Sequence, residues 1–264
     1  MNVFCVGGSR NIGYHASIRL LNAGYSVTFL LRYPSCFDKN ETIQRFVASG
    51  KAKLVKGDAL NQDEVRAGWE AAGGIDVDLL LFTLGGIPSW NIRKGAVITP
   101  PDLCTRSLAN VLRAAPPQSP PKLKVVVISS TGVTKTSHKN LPWTLRPMYG
   151  YLLRQPHDDK LGMERVLAQT AGKPWTVEEP PSDVLPSDGS WKNDLPSTGA
   201  IASTVVVRPA LLTDGACTEK YRSSVGDHGK GFTTVSRKDV AHYVAENLIK
   251  NWEKWENQIV SVAY

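Results

Sequence analysis

Val3-Phe4-Cys5-Val6-Gly7-Gly8-Ser9-Arg10-Asn11-Ile12-Gly13 is the stretch that decides the fold of this chain. Four apolar residues make a short buried strand, and Gly7 to Gly13 make a turn. His15 to Ala23 then reads as a helix, with Ile18, Leu20 and Leu21 apolar and Gly24 suited to the C′ position. Gly7 permits a tight turn and close backbone approach, and Gly13 lets the helix pack on the strand. A helix N-terminus placed there offers unpaired N–H groups and a partial positive charge to a pyrophosphate. Gly7, Gly8, Ser9, Arg10, Asn11, Ile12 and Gly13 are therefore the candidate phosphate binders. Gly8 to Gly13 also has the spacing of a P-loop, but Tyr14-His15 follows instead of Lys-Ser/Thr. Nucleoside triphosphate hydrolysis is set aside on that ground.

Working outward, strands are expected over 25–31, 53–55, 77–83, 124–129, 204–207 and 259–262. Helices are expected over 41–49, 62–72, 102–115, 158–170 and 239–249, with Pro116-Pro117 stopping the third. Continuous apolar strands alternating with helices mean a parallel sheet covered on both faces. The expected fold is α/β, a Rossmann-type doubly wound parallel sheet in one domain over 1–264, with its ligand at the strands' C-terminal ends. Residues 172–200 break the pattern, with Pro174, Pro180, Pro181, Pro186 and Pro196 among Ser, Asp and Gly. This is an irregular insertion, either a surface loop or a lid over the site, with Trp175 and Trp191 as apolar anchors. Trp252 and Trp255 are expected in the core, as is Cys5.

Composition narrows the class. At 264 residues and 42% hydrophobic, the chain can bury a substantial core. No apolar run nears the roughly 18–20 residues of a membrane span, and no signal peptide is read at Met1, so a cytoplasmic protein is expected. The 31 Lys+Arg against 24 Asp+Glu give +7, but the basic residues are scattered without an aromatic repeat. That is a solvated basic surface, and nucleic-acid binding is not the expected function. Four dispersed cysteines with no Cys-x-x-Cys, and five histidines with no i, i+4 pair, give no metal site.

The second strand ends Leu30-Leu31-Arg32, and the nearest acid is Asp38. NAD-preferring proteins place Asp or Glu at that point, whereas arginine suits an adenosine 2′-phosphate. Arg10 is placed to clamp the same group. NADP(H) is expected over NAD(H).

On these residues the chain resembles the atypical branch of the short-chain dehydrogenase/reductase superfamily, the NmrA-like NAD(P)-binding proteins. Gly7 to Gly13 resembles its dinucleotide turn, with Arg10 and Asn11 where one or other branch has glycine. Lys56-Gly57-Asp58-Ala59 resembles the segment that contacts adenine, and Thr83-Leu84-Gly85-Gly86 the loop beside the cofactor. Val127 to Gly132 resembles the strand end bearing the active-site serine, here Ser130. Val207-Arg208-Pro209-Ala210-Leu211-Leu212 resembles the strand beside the nicotinamide, and Ser236 to Ala241 the late Asp-Val-Ala helix start. The resemblance implies cofactor contacts from Asp58, Ala59, Thr83, Leu84, Gly85, Lys160, Pro209, Ala210 and Leu211.

Most of the superfamily carries Tyr-x-x-x-Lys on one helix face, the lysine lowering the tyrosine pKa. Lys160 matches the lysine, but Pro156 stands four residues earlier. His157, or Tyr149 or Tyr151 from the preceding loop, could supply the proton instead, with Ser130 polarising the acceptor. Lys160 could equally serve only to hold the nicotinamide ribose. The implied activity is an NADPH-dependent oxidoreductase acting on a small carbonyl, enone or conjugated ring. The alternative is a non-catalytic NADP(H) sensor that acts on a protein partner.

Overall fold

The computed structural model describes residues 1–91, 95–117, 122–140, 146, 148–226 and 233–264, without the side chains of residues 91, 140, 148 and 149. The first half alternates strand and helix: β1 (Asn2–Val6), α1 (Asn11–Asn22), β2 (Ser26–Leu31), α2 (Glu41–Ala48), β3 (Ala52–Lys56), α3 (Gln62–Ala72) and β4 (Leu79–Phe82). A short hairpin follows, β5 (Ser89–Asn91) and β6 (Gly95–Val97), and then α4 (Leu103–Arg113), β7 (Lys124–Ile128) and α5 (Lys135–Asn140). A π-helical turn, Met148–Leu152, leads into the long α6 (Arg154–Thr170). The chain ends with β8 (Ser203–Pro209), β9 (Leu211–Thr213), β10 (Arg222–Val225), β11 (Thr234–Ser236), α7 (Arg237–His242), α8 (Trp252–Trp255) and β12 (Ile259–Ala263).

Eight strands form one sheet in the order β10-β12-β8-β7-β4-β1-β2-β3. All neighbours are parallel except β10 with β12. The chain runs outward from β1 to β3, then crosses back to β4 on the other side of β1. That reversal opens a crevice above the C-terminal ends of β1 and β4.

Strand alternation builds the core in two layers. Val3 and Cys5 of β1 point to one face with Phe29, Leu81, Val126 and Trp252. Phe4 and Val6 point to the other with Leu80, Phe82, Val125, Trp69 and Met163. Each face is apolar because helices cover both, which is why these strands read as unbroken apolar runs. Trp69 donates its indole N–H to the Val111 carbonyl at 2.9 Å, so its burial leaves no polar atom unmet.

Asn40 caps α2, Asn61 with Glu64 caps α3, and Ser236 caps α7. Arg10 at the N-cap of α1 and Leu153 at that of α6 make no side-chain cap.

Several expected boundaries shift. α1 begins at Asn11 rather than His15 because the turn closes in four residues. α6 begins at Arg154 rather than Asp158, because Pro156 falls in the first turn, where a missing N–H costs nothing. The last long helix ends as α7 at His242 and continues as a π-helical turn, Tyr243–Leu248. Trp252, Trp255 and Cys5 are buried, as expected.

The 172–200 insertion is irregular apart from a 3-10 turn, Ser190–Lys192. It is strapped along α4 and α6. The Arg165 guanidinium sits between Trp175 and Trp191, 5.5 and 5.2 Å from their ring centres, and reaches Glu179 at 3.1 Å. Arg113 donates to the carbonyls of Trp191 and Asn193, and Val184 and Leu185 are buried. Near the strand ends, its Glu178 accepts from the Lys135 backbone N–H.

Candidate functional site

The site begins at the turn after β1. Gly7 holds a φ of +90°, and a Cβ there would lie 2.5 Å from the Leu84 backbone nitrogen. The glycine thus lets the turn pass against the loop after β4. At Gly8 a Cβ would come 2.6 Å from Cys5 Sγ, and at Gly13 one would run into Thr83 Oγ1. These glycines hold α1 tightly on the sheet, so its first turn opens directly into the crevice. Asn11 enters the helix with a left-handed φ of 55°, which asparagine tolerates. The first turn of α1 has no capping side chain and no acidic residue, and Ser9, Arg10 and Asn11 are exposed. Its N–H groups and positive dipole end suit an anion.

Arg32 follows directly on β2 and is exposed like Arg10. Both stand past the C-terminal ends of the adjacent strands β1 and β2, Arg10 at the N-cap of α1. Asp58 lies after β3, where one carboxylate oxygen accepts from Leu60 N–H and the Asp58 N–H is taken by Glu64. Ala59 is buried, and Thr83 donates its hydroxyl to the Val6 carbonyl. Gly85 is exposed, and a Cβ there would meet nothing within 4 Å. Pro209 and Ala210 are buried and Leu211 half-buried at the end of β8.

At the other end of the crevice, pairing with β8 continues past β7: Ser129 N–H donates to Val207 and Thr131 N–H to Pro209. This fixes Ser130 between two bonded residues. Ser130 Oγ donates to the Thr131 carbonyl at 3.1 Å and stands 3.5 Å from His157 Nε2. The Ser129 hydroxyl is buried at the same strand end and has no hydrogen-bond partner among the described residues.

His157 is buried in the first turn of α6. Burial above all, with repulsion from His138, pushes its pKa down to about 4, and a hydrogen bond with the Gly132 backbone opposes this only in part. The imidazole is neutral at pH 7. Lys160 Nζ donates to the carbonyls of Leu84 at 2.9 Å and Ile128 at 2.8 Å. Its ammonium therefore ties the loop after β4 to the end of β7. Pro156 is half-buried, and Tyr151 is exposed on the π-helical turn. The Tyr149 side chain lies outside the described residues.

Three residues that sequence reasoning did not single out hold this geometry. Asp159 is buried, and its carboxylate accepts from the N–H groups of Cys104 and Thr105, both at 2.8 Å. It caps α4 from a neighbouring helix. Glu164 forms a buried two-point pair with Arg208, at 3.0 and 2.6 Å, joining α6 to β8. Gln155 pairs both its amide atoms with the Ile98 backbone, accepting at 2.6 Å and donating at 3.0 Å. A polar run from 154 to 160 interrupted only by Pro156 was the available signal, since a buried helix turn needs partners for such side chains.

Asp239, in the late helix-start motif, turns out to fasten a loop. Burial would raise its carboxyl, but hydrogen bonds from Tyr264, the backbones of Glu219 and Thr218, and Ser236 outweigh that and hold it at about 2. Among the described residues, no cluster of His, Cys, Asp and Glu could hold a metal ion, and no helix is long and apolar enough to cross a membrane.

The sequence profile of the NAD(P)H-binding family matches residues 7–182. The chain is 27% identical to the reductase pytE of Aspergillus terreus, over 92% of this chain and 90% of that one. Among solved structures, it resembles ChuY, an anaerobilin reductase from Escherichia coli, with a TM-score of 0.61 at 18% identity, over 99% of this chain and 96% of that one. It also resembles a short-chain dehydrogenase/reductase from Veillonella parvula in complex with NADP, with a TM-score of 0.65 at 10% identity, over 99% and 94%.

Proposed function

We propose that this chain, which belongs to the NAD(P)H-binding family, is an NADPH-dependent reductase of the atypical short-chain type. Its acceptor is a small carbonyl, an enone or a conjugated ring. The observation that carries the reading is the uncapped, acid-free N-terminus of α1 opening into the crevice where the strand order reverses. The open first turn, the space at Gly85 and the orphaned Ser129 hydroxyl fit a bound dinucleotide. The first turn of α1 would hold the pyrophosphate, Arg10 and Arg32 the adenosine 2′-phosphate, and Asp58 and Ala59 the adenine. Thr83, Leu84, Gly85, Pro209, Ala210 and Leu211 would line the nicotinamide end.

The cofactor supplies the hydride. The chain supplies the rest. Ser130 Oγ turns from the Thr131 carbonyl to donate to the acceptor oxygen, polarising it as charge develops. His157, neutral at pH 7, orients that hydroxyl from 3.5 Å. The product's proton comes from water, relayed through the Ser130 hydroxyl, since Pro156 has no proton to give and the neutral His157 carries none to spare. Lys160 holds the Leu84 and Ile128 carbonyls and lies 3.9 Å from Met163 Sδ, so its part is to set the crevice width, and the weak sulfur contact is the one a ribose hydroxyl would replace.

The test of the cofactor assignment is a calorimetric titration of wild type and Arg32→Ala with NADPH and NADH. A lost charge-assisted contact of about 2 kcal/mol weakens NADPH about thirtyfold. NADH affinity stays within a factor of two. Equal losses for both would sink the 2′-phosphate assignment.

A second reading has its own support. Pro156 in the tyrosine's place and a lysine occupied by two carbonyls also suit a protein that binds NADP(H) without turnover and signals to a protein partner. Tight binding with no hydride transfer to any acceptor would favour it.

A further inference from the structure

α4 has an N-cap of a favoured residue type that does not cap it. Asp102 makes no side-chain bond to the helix backbone, and its carboxylate stands 3.7 Å from Arg106. The N–H groups of Cys104 and Thr105, which an N-cap would serve, go instead to the two carboxylate oxygens of Asp159, each at 2.8 Å. Thr105 returns its hydroxyl to the Asp159 carbonyl at 2.7 Å. Asp159 is 1% exposed, so its carboxylate has left water to sit at the positive end of a helix that is not its own. Capping by Asp102 would close α4 at less cost, since Asp102 keeps contact with solvent.

What Asp159 adds is a connection. Cys104, held by its N–H, donates its thiol to the Leu84 carbonyl at 3.4 Å. Lys160, next to Asp159 in the chain, donates its ammonium to the same carbonyl at 2.9 Å. That one oxygen is therefore held from α4 and from α6. The contacts close a ring: Asp159 to Cys104, Cys104 to Leu84, Leu84 to Lys160. Gly162 lets the two helices approach, since a Cβ there would come 2.5 Å from Thr105 Oγ1. A ring of this kind holds the loop after β4 only while α4 keeps its place, and the Asp159 carboxylate is what pins the start of α4.

We propose that Asp159 is the positioning residue of the nicotinamide end. By capping α4 it keeps Cys104 against the Leu84 carbonyl, and so fixes the loop after β4 together with the Lys160 ammonium that shares that carbonyl. This rests on the reductase reading, which gives that loop to the nicotinamide.

The test compares wild type, Asp159→Asn and Cys104→Ala, each checked for folding by far-UV circular dichroism. Calorimetry gives the dissociation constants of NADPH and of adenosine 2′,5′-bisphosphate, which lacks the nicotinamide half. Asparagine keeps one acceptor and loses the charge, so Asp159→Asn weakens NADPH about tenfold. Cys104→Ala loses only a weak thiol donor and weakens NADPH about threefold. The bisphosphate, which the reductase reading seats at Arg10, Arg32 and Asp58, binds all three proteins alike. Hydrogen exchange of the free proteins, followed by mass spectrometry, reads the loop directly. Residues 83–86 exchange faster in both variants, while 58–61, held by Glu64, do not. A merely structural role would weaken both ligands equally and loosen both segments, and either result overturns the proposal. Unchanged NADPH affinity or unchanged exchange at 83–86 overturns it as well. Should Asp159→Asn fail to fold, the same comparisons with Cys104→Ala decide. A wild type that binds neither ligand contradicts the reductase reading instead, and the exchange at 83–86 still decides the positioning.

Discussion

His157 shows how one side chain can carry both a stability and a chemical consequence. Its folded pKa is held near 4, chiefly by burial, while the unfolded chain titrates it near 6.5. Between those values the unfolded state binds a proton that the folded state does not, so stability rises with pH across that window. It is complete above about pH 6.5 and is lost progressively as pH falls toward 4, by about 3 kcal/mol. Urea unfolding of wild type and His157→Gln at pH 7.5, 6, 5 and 4.5 measures this. The variant should lose that part of the slope while keeping the acid sensitivity of the carboxylates. A wild-type slope unchanged by the substitution would mean that His157 is solvated. The same depressed pKa excludes an imidazolium as the resting proton donor at pH 7, which is why the reductase reading gives the acceptor contact to Ser130.

At the scale of elements, α6 is the organiser. Its first turn carries His157, Asp159 caps α4, Lys160 joins the loop after β4 to the end of β7, and Glu164 grips Arg208 of β8. Breaking a buried ion pair by removing one charge costs about 3–5 kcal/mol, more than the pair adds relative to an apolar packing. Glu164→Gln should therefore lower the Tm by about 10 °C, read by differential scanning calorimetry. A drop of under 2 °C would show that Arg208 is satisfied without it.

The strands and most helices that flank the crevice were legible in the sequence, because a strand buried on both faces leaves an unbroken apolar run. The β5–β6 hairpin and the β9–β11 pair were not. Strands of three residues are too short for alternation to show, and tertiary contacts such as the Gln155–Ile98 pair fix them. The start of α6 was misplaced because Pro156 looks like a boundary, although a proline in the first turn is tolerated. The glycine turn located the open N-terminal end of α1 at the crevice by residue type alone. That Asp159 caps another helix, and that the Lys160 ammonium spans two strands, depends on packing between elements distant in sequence.

On the scale of the whole molecule, the sheet order puts the N-terminal end of α1, the exposed Arg10 and Arg32 and the Ser130–His157 pair along one edge. The 172–200 insertion lies along the outer side of α4 and α6, with Arg165 clamped between two indoles. Strapped in this way, it supports the helices that frame the crevice. The central claim is that the crevice performs hydride transfer from NADPH. The most direct measurement follows loss of the reduced-nicotinamide absorbance, with NADPH or NADH, against a panel of quinones, flavins, enones and aldehydes. The account predicts enzyme-dependent oxidation of NADPH in preference to NADH by at least one of these acceptors. Tight NADPH binding with no oxidation by any acceptor would contradict it.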